Sequence, residues 1–131
     1  MSLDKRNLYR FPWSKNDNPI GWLEVTDICN LACLGCYRQK ISGHKTLEQL
    51  KEEVLYLKRW RNVDNISIAG GEPLMHPQIM EVVSFIKEQG IKPIMLTNGL
   101  KLDRDTVIAL KKAGLAGFTI HIDSNQGRPQ W

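Results

Sequence analysis

The sequence predicts an α/β fold of consecutive βα units around a parallel sheet. Short apolar runs alternate with longer segments of 3.6-residue periodicity. The alternation recurs every roughly 25 to 30 residues, the length of one βα unit rather than of a solenoid repeat. The unusual polar clusters each follow an apolar run. Strands separated by amphipathic helices have to be parallel, because each crossover returns the chain to the edge it left, and the helices then cover the sheet.

The elements follow in order. Gly21-Trp22-Leu23-Glu24-Val25-Thr26 is the first strand. Thr46, with Gln49 three residues on, forms a capping-box pattern, and Leu47, Leu50, Val54 and Leu57 mark one apolar face of a helix reaching about Trp60. Asn65 to Ala69 is the second strand, broken by Gly70-Gly71. Pro77 is expected to open the second helix as its first residue, with Ile79, Val82, Val83 and Ile86 inward and Gly90 as the stop. Pro93 to Leu96 is the third strand, Asp103 caps a third helix that stops at Gly114, and Phe118 to Ile122 is the fourth strand. Residues 1–19 read as an N-terminal arm lying against the domain formed by residues 20–131, with residues 1–3 set aside from the fold.

With 131 residues, 42% of them hydrophobic and 24% charged, the chain fits one ordinary globular domain. No run of about 18 apolar residues and no secretory signal occurs, so the cytoplasm is the expected compartment. The net charge of +4 is spread among acids, as in Lys51-Glu52-Glu53, which speaks against a nucleic-acid patch and leaves room for an acidic electron donor. Three cysteines crowded into the segment Cys29 to Cys36 cannot build a disulfide framework and point to metal.

In parallel α/β folds chemistry collects at the carboxyl ends of the strands. The polar clusters sit there: Cys29 to Cys36, Gly70-Gly71-Glu72-Pro73, Thr97-Asn98-Gly99 and His121 to Ser124. Each alone has a plain explanation as a turn or a helix start; four on one rim do not. Three closely spaced thiolates suit an iron-sulfur cube with one iron left open. By spacing alone a tetrahedral zinc, with His44, His76 or His121 as fourth ligand, stands as the alternative.

The CxxxCxxC pattern after the first strand, with GGEP after the second, resembles the radical S-adenosylmethionine (SAM) superfamily over residues 20–124. The resemblance implies a parallel partial (β/α) barrel, truncated here after about four strands, and a [4Fe-4S] cluster on Cys29, Cys33 and Cys36 whose fourth iron is chelated by SAM. It implies that Gly70 and Gly71 bring backbone close to the methionine moiety, with Glu72 or nearby carbonyls receiving its ammonium, and that Pro73 of the same motif belongs to the cofactor site. Thr97 and Asn98 face the ligand, or else form a plain Asn-Gly turn. His121 and Asp123 stand where similar enzymes contact the ribose, Asp123 being the better acceptor for a diol; His121 reads equally as a core histidine. His44 and His76 read as loop or capping residues. Many members carry an aromatic residue just before the third cysteine, where this chain has Gly35, and its aromatic, Tyr37, follows instead.

The implied activity is reductive cleavage of SAM to a 5'-deoxyadenosyl radical, fed by an electron donor such as flavodoxin or ferredoxin, on an unknown substrate. The alternatives are an iron-sulfur and SAM-binding module without independent catalysis, and a zinc-binding interaction domain. A sheet cut after its fourth strand is also expected to self-associate through its open edge.

Overall fold

A computed structural model describes residues 19–38 and 43–128. The expectations for the N-terminal arm and for the last three residues lie outside them. Four strands, β1 (Ile20–Glu24), β2 (Asn65–Ala69), β3 (Lys92–Thr97) and β4 (Gly117–Ile120), form one sheet in the order β1-β2-β3-β4, every pair parallel. Helices α1 (Leu47–Arg61), α2 (Ile79–Glu88) and α3 (Arg104–Ala113) are the crossovers. Sequential order with right-handed crossovers puts all three on one face, so the sheet is an open partial barrel.

Register lines up the rows. Leu23, Ile68, Met95 and Phe118 are paired neighbours across the sheet, as are Trp22, Ser67, Ile94 and Gly117 one residue away. Because side chains alternate between faces, the first row joins the core. Leu23, Ile66, Ile68 and Met95 are fully buried against Val54, Val83 and Leu110 of the helices. The second row belongs to the helix-free face, where Ile20 and Trp22 remain more than half exposed. The strands are thus not buried equally on both sides.

Helix ends follow the expected chemistry, with one exception. The capping box closes at 3.2 Å from Gln49 N to Thr46 Oγ1 and 3.0 Å from Thr46 N to Gln49 Oε1. Asp103 accepts from Thr106 N at 2.7 Å, and Gly114 ends α3 in the left-handed region at φ 105°. The start of α2 differs from expectation: Pro77 lies before the helix, which begins at Ile79. A 3-10 turn at Pro73–Met75 comes first, capped by Glu72, whose carboxylate accepts from Leu74 N. His76 then folds back. Its Nδ1 accepts from Gln78 N at 3.1 Å while its Nε2 donates to Lys45 O at 2.7 Å, and Ile79 N bonds His76 O. With the Gln78 amide taken by the imidazole, the helical ladder starts after it.

The fourth strand is shorter than Phe118 to Ile122. His121 N still donates to Thr97 O at 3.0 Å, but the His121 carbonyl is claimed by Gln126 Nε2 at 3.0 Å and Arg128 Nη2 at 3.1 Å. The ladder ends where its next acceptor is occupied. Among the described residues no helix is long and apolar enough to cross a membrane.

Candidate functional site

The carboxyl ends of the strands enclose a cavity of about 430 Å³. Cys29, Cys33 and Cys36 line it, together with Tyr37 of the same loop. Gly70 and Gly71 contribute from the end of β2, Thr97 and Asn98 from β3, and His121 and Asp123 from beyond β4. Ten of the twelve site residues expected from the sequence therefore share one cavity; Glu72 and Pro73 do not line it.

The cysteine loop is seated on β2 by backbone alone. Gly71 N donates to Thr26 O at 2.7 Å and Glu72 N to Ile28 O at 2.8 Å. This close approach requires glycine. A Cβ on Gly71 would stand 2.3 Å from Ile28 O, and Gly70, at φ 150°, would put one 2.5 Å from Thr26 O. The far side of the loop is tied to the turn after β4 by Leu34 N to Asn125 O at 3.3 Å. Arg38, just past Tyr37, pairs with Glu24 at 2.9 Å and with Asp27, clamping the loop's exit to the end of β1.

Glu72 differs from its expected place. Glu72 is 1% exposed and is not among the residues lining the cavity, with Oε1 accepting from Leu74 N at 3.1 Å and Thr97 Oγ1 at 2.6 Å, and Oε2 from Asn98 N at 2.8 Å. Three donors replace the hydration a buried carboxylate loses. Pro73 is buried beneath it as the first residue of the 3-10 turn. Thr97 is also buried and accepts from Gly99 N at 3.0 Å, so the Asn-Gly turn and the cavity wall are one structure. Asn98 reaches across to Asn30 Oδ1 at 2.7 Å and to Cys29 Sγ at 3.8 Å.

His121 is not a core histidine: its side chain is 74% exposed and its Nε2 lies 2.7 Å from Asp123 Oδ2. The Asn125 backbone N–H on Asp123 Oδ1, with the His121 hydrogen bond second, holds the Asp123 carboxyl below the usual range, so it is ionised at neutral pH. Of the three histidines, His121 alone lines the cavity; His44 bonds Thr26 Oγ1 and His76 Nδ1 accepts from Gln78 N just before α2. Among the described residues no three His, Cys, Asp or Glu side chains gather closely enough to hold a single metal ion.

The Cys33 thiol is pushed up by burial first and then by its neighbours Cys29, Cys36 and Asp123. A raised value means a proton retained to higher pH. Labelling of the metal-free chain with iodoacetamide, read by peptide mass spectrometry, should show Cys33 alkylation rising only above the ordinary thiol range of about 8.5. Rapid Cys33 alkylation at pH 7 would contradict this. Any metal bound through Cys33 displaces that proton, so loading strengthens as pH rises.

The sequence reading missed four residues. Asn30 and Arg38 sit in the loop as ordinary polar residues, and only the fold brings them to Asn98 and to Glu24. Gln126, 2% exposed, and Arg128 fall in a stretch that reads as a tail, yet Gln126 accepts from Asp123 N and Arg128 Nε, and Arg128 donates to the Asn98 carbonyl. Together they fasten the ends of β3 and β4.

The fold and site define a class: an open parallel (β/α) barrel with a three-thiol loop at the carboxyl end of its first strand. Residues 23–127 match the family model of the radical SAM superfamily, and the chain belongs to that family. It is 29% identical over 115 residues to an Fe-coproporphyrin III synthase of Methanosarcina barkeri, covering 85% of this chain and 29% of that one. To a GTP 3',8-cyclase of Alkaliphilus oremlandii it is 37% identical over 109 residues, covering 78% of this chain and 34% of the relative. The chain thus spans about a third of the length of these curated relatives. A crystal structure of BtrN in complex with AdoMet and 2-DOIA shares the fold, with a TM-score of 0.68 and 23% identity over 83% of this chain and 48% of that one.

Proposed function

We propose that this chain carries the cluster- and SAM-binding part of a radical SAM enzyme. The observation that carries the reading is convergence: three thiols, a glycine turn at backbone contact with their loop, and an ionised rim carboxylate share one cavity. The donor set fits a [4Fe-4S] cluster. The chain has three cysteines in all, which leaves one iron of four without a protein thiolate.

When bound, the cluster and SAM supply reductive cleavage of the sulfonium to methionine and a 5'-deoxyadenosyl radical. The chain's own residues bind and orient. Cys29, Cys33 and Cys36 ligate iron. The Gly70–Gly71 backbone, which lines the cavity, lies against the methionine moiety and its carbonyls accept the ammonium. Asp123 accepts from the ribose hydroxyls. Thr97 and Asn98 wall the cavity, while Tyr37, 81% exposed, is available to cover it. A one-electron donor of the flavodoxin or ferredoxin kind approaches from the solvent side of the loop, where Cys36 and Leu34 are exposed.

Anaerobic reconstitution with iron and sulfide should give, after reduction, a [4Fe-4S] electron paramagnetic resonance signal that SAM perturbs; Cys33→Ala should abolish it. Zinc uptake without iron and sulfide would overturn the assignment. A second reading is binding of the cluster and SAM without independent catalysis. Formation of 5'-deoxyadenosine from SAM under a strong reductant separates the two, because a binding module yields none.

A further inference from the structure

We infer that the Asn98 side chain is a clip on the cysteine loop that donates to the Cys29 sulfur and thereby raises the reduction potential of the bound cluster. The inference rests on the cluster assignment above and adds a positioning residue to it. Asn98 follows the last residue of β3 and is fixed at three points. Its backbone N–H is held by Glu72 Oε2 at 2.8 Å, its carbonyl accepts from Arg128, and its Oδ1 accepts from Leu100 N at 3.0 Å. The last contact settles which end of the amide is oxygen. Nδ2 is therefore the end aimed into the loop, at Asn30 Oδ1 (2.7 Å) and at Cys29 Sγ (3.8 Å).

The Cys29 sulfur has a second donor, Leu31 N at 3.4 Å. Two N–H groups converge on the first of the three thiols, and both dipoles favour negative charge on sulfur. Reduction adds one electron to the cluster, so its negative charge grows and these hydrogen bonds strengthen. Donors to a ligating sulfur therefore move the potential upward. The clip also couples the first βα unit to the third, because Glu72, Asn98 and Cys29 form one hydrogen-bonded chain across three strand ends.

Two variants separate the clip from the turn. Asn98→Asp keeps an oxygen for Leu100 N but loses the donor, and Asn98→Ala removes the side chain without adding charge. Iron content and midpoint potential are measured on reconstituted protein, and amide hydrogen exchange over residues 29–36 on the metal-free chain. The expected result is a lower midpoint in both variants, lowest in Asn98→Asp, with faster exchange of the loop in both. A wild-type midpoint in fully loaded Asn98→Ala overturns the inference. If the wild-type chain takes up no iron, the cluster assignment fails instead, and unchanged loop exchange in both variants then overturns the clip on its own.

Discussion

Gly71→Ala should unseat the cysteine loop, lowering stability by roughly 3 kcal/mol and abolishing iron uptake. The added methyl would stand 2.3 Å from Ile28 O, 2.7 Å from Ile28 C and 2.9 Å from Asp27 O, and all three are backbone atoms with no rotamer to change. Either the loop moves away, breaking the bonds from Gly71 N to Thr26 O and Glu72 N to Ile28 O, or β2 is distorted. Overpacking against movable side chains costs about 1–3 kcal/mol, and a backbone obstacle belongs at the top of that range. Gly35→Ala is the matched control. It lies in the same loop with nothing within 4 Å of the built Cβ, so its stability should stay within about 0.5 kcal/mol of wild type. Urea denaturation and iron content measure both. A Gly71→Ala midpoint equal to that of Gly35→Ala would show that the two backbones are not held in contact.

That contact also explains what sequence reasoning could and could not find. Strand and helix identity were legible because short apolar runs such as Ile66-Ser67-Ile68-Ala69 alternate with helical stripes such as Leu47, Leu50, Val54 and Leu57. The rim was legible because parallel βα units leave polar clusters at one end, and all four clusters have members at one cavity. The start of α2 was not, since a proline at a helix entrance normally marks the first helical residue. Here His76 captures the Gln78 amide, and no local pattern announces that. Gln126 and Arg128 were hidden for a similar reason. Their partners are the His121 and Asn98 carbonyls, backbone atoms that carry no sequence signal.

Glu72 is the sharpest case, and its substitution should have the second large effect. The motif suggests a carboxylate facing a ligand's ammonium, whereas the fold buries it as the common acceptor for Leu74 N, Thr97 Oγ1 and Asn98 N. Glu72→Ala would leave these donors without their partner, Leu74 N and Thr97 Oγ1 in buried positions and Asn98 N in a part-buried one. Each orphaned donor costs about 1–3 kcal/mol, offset in part by no longer burying a charge, which places the net loss near 3–5 kcal/mol. Glu72→Gln retains one carbonyl oxygen and should fall between Glu72→Ala and wild type, because its amide would face the N–H or O–H it replaces an acceptor for. The two roles predict opposite patterns. A ligand-facing carboxylate would lose SAM binding with the urea midpoint unchanged. A buried acceptor would lose stability first, and Asn98, released from Glu72 Oε2, would carry the disturbance to Cys29. Denaturation and SAM titration of the reconstituted Glu72→Gln variant decide between them, and an unaltered midpoint with SAM binding gone would restore the ligand role.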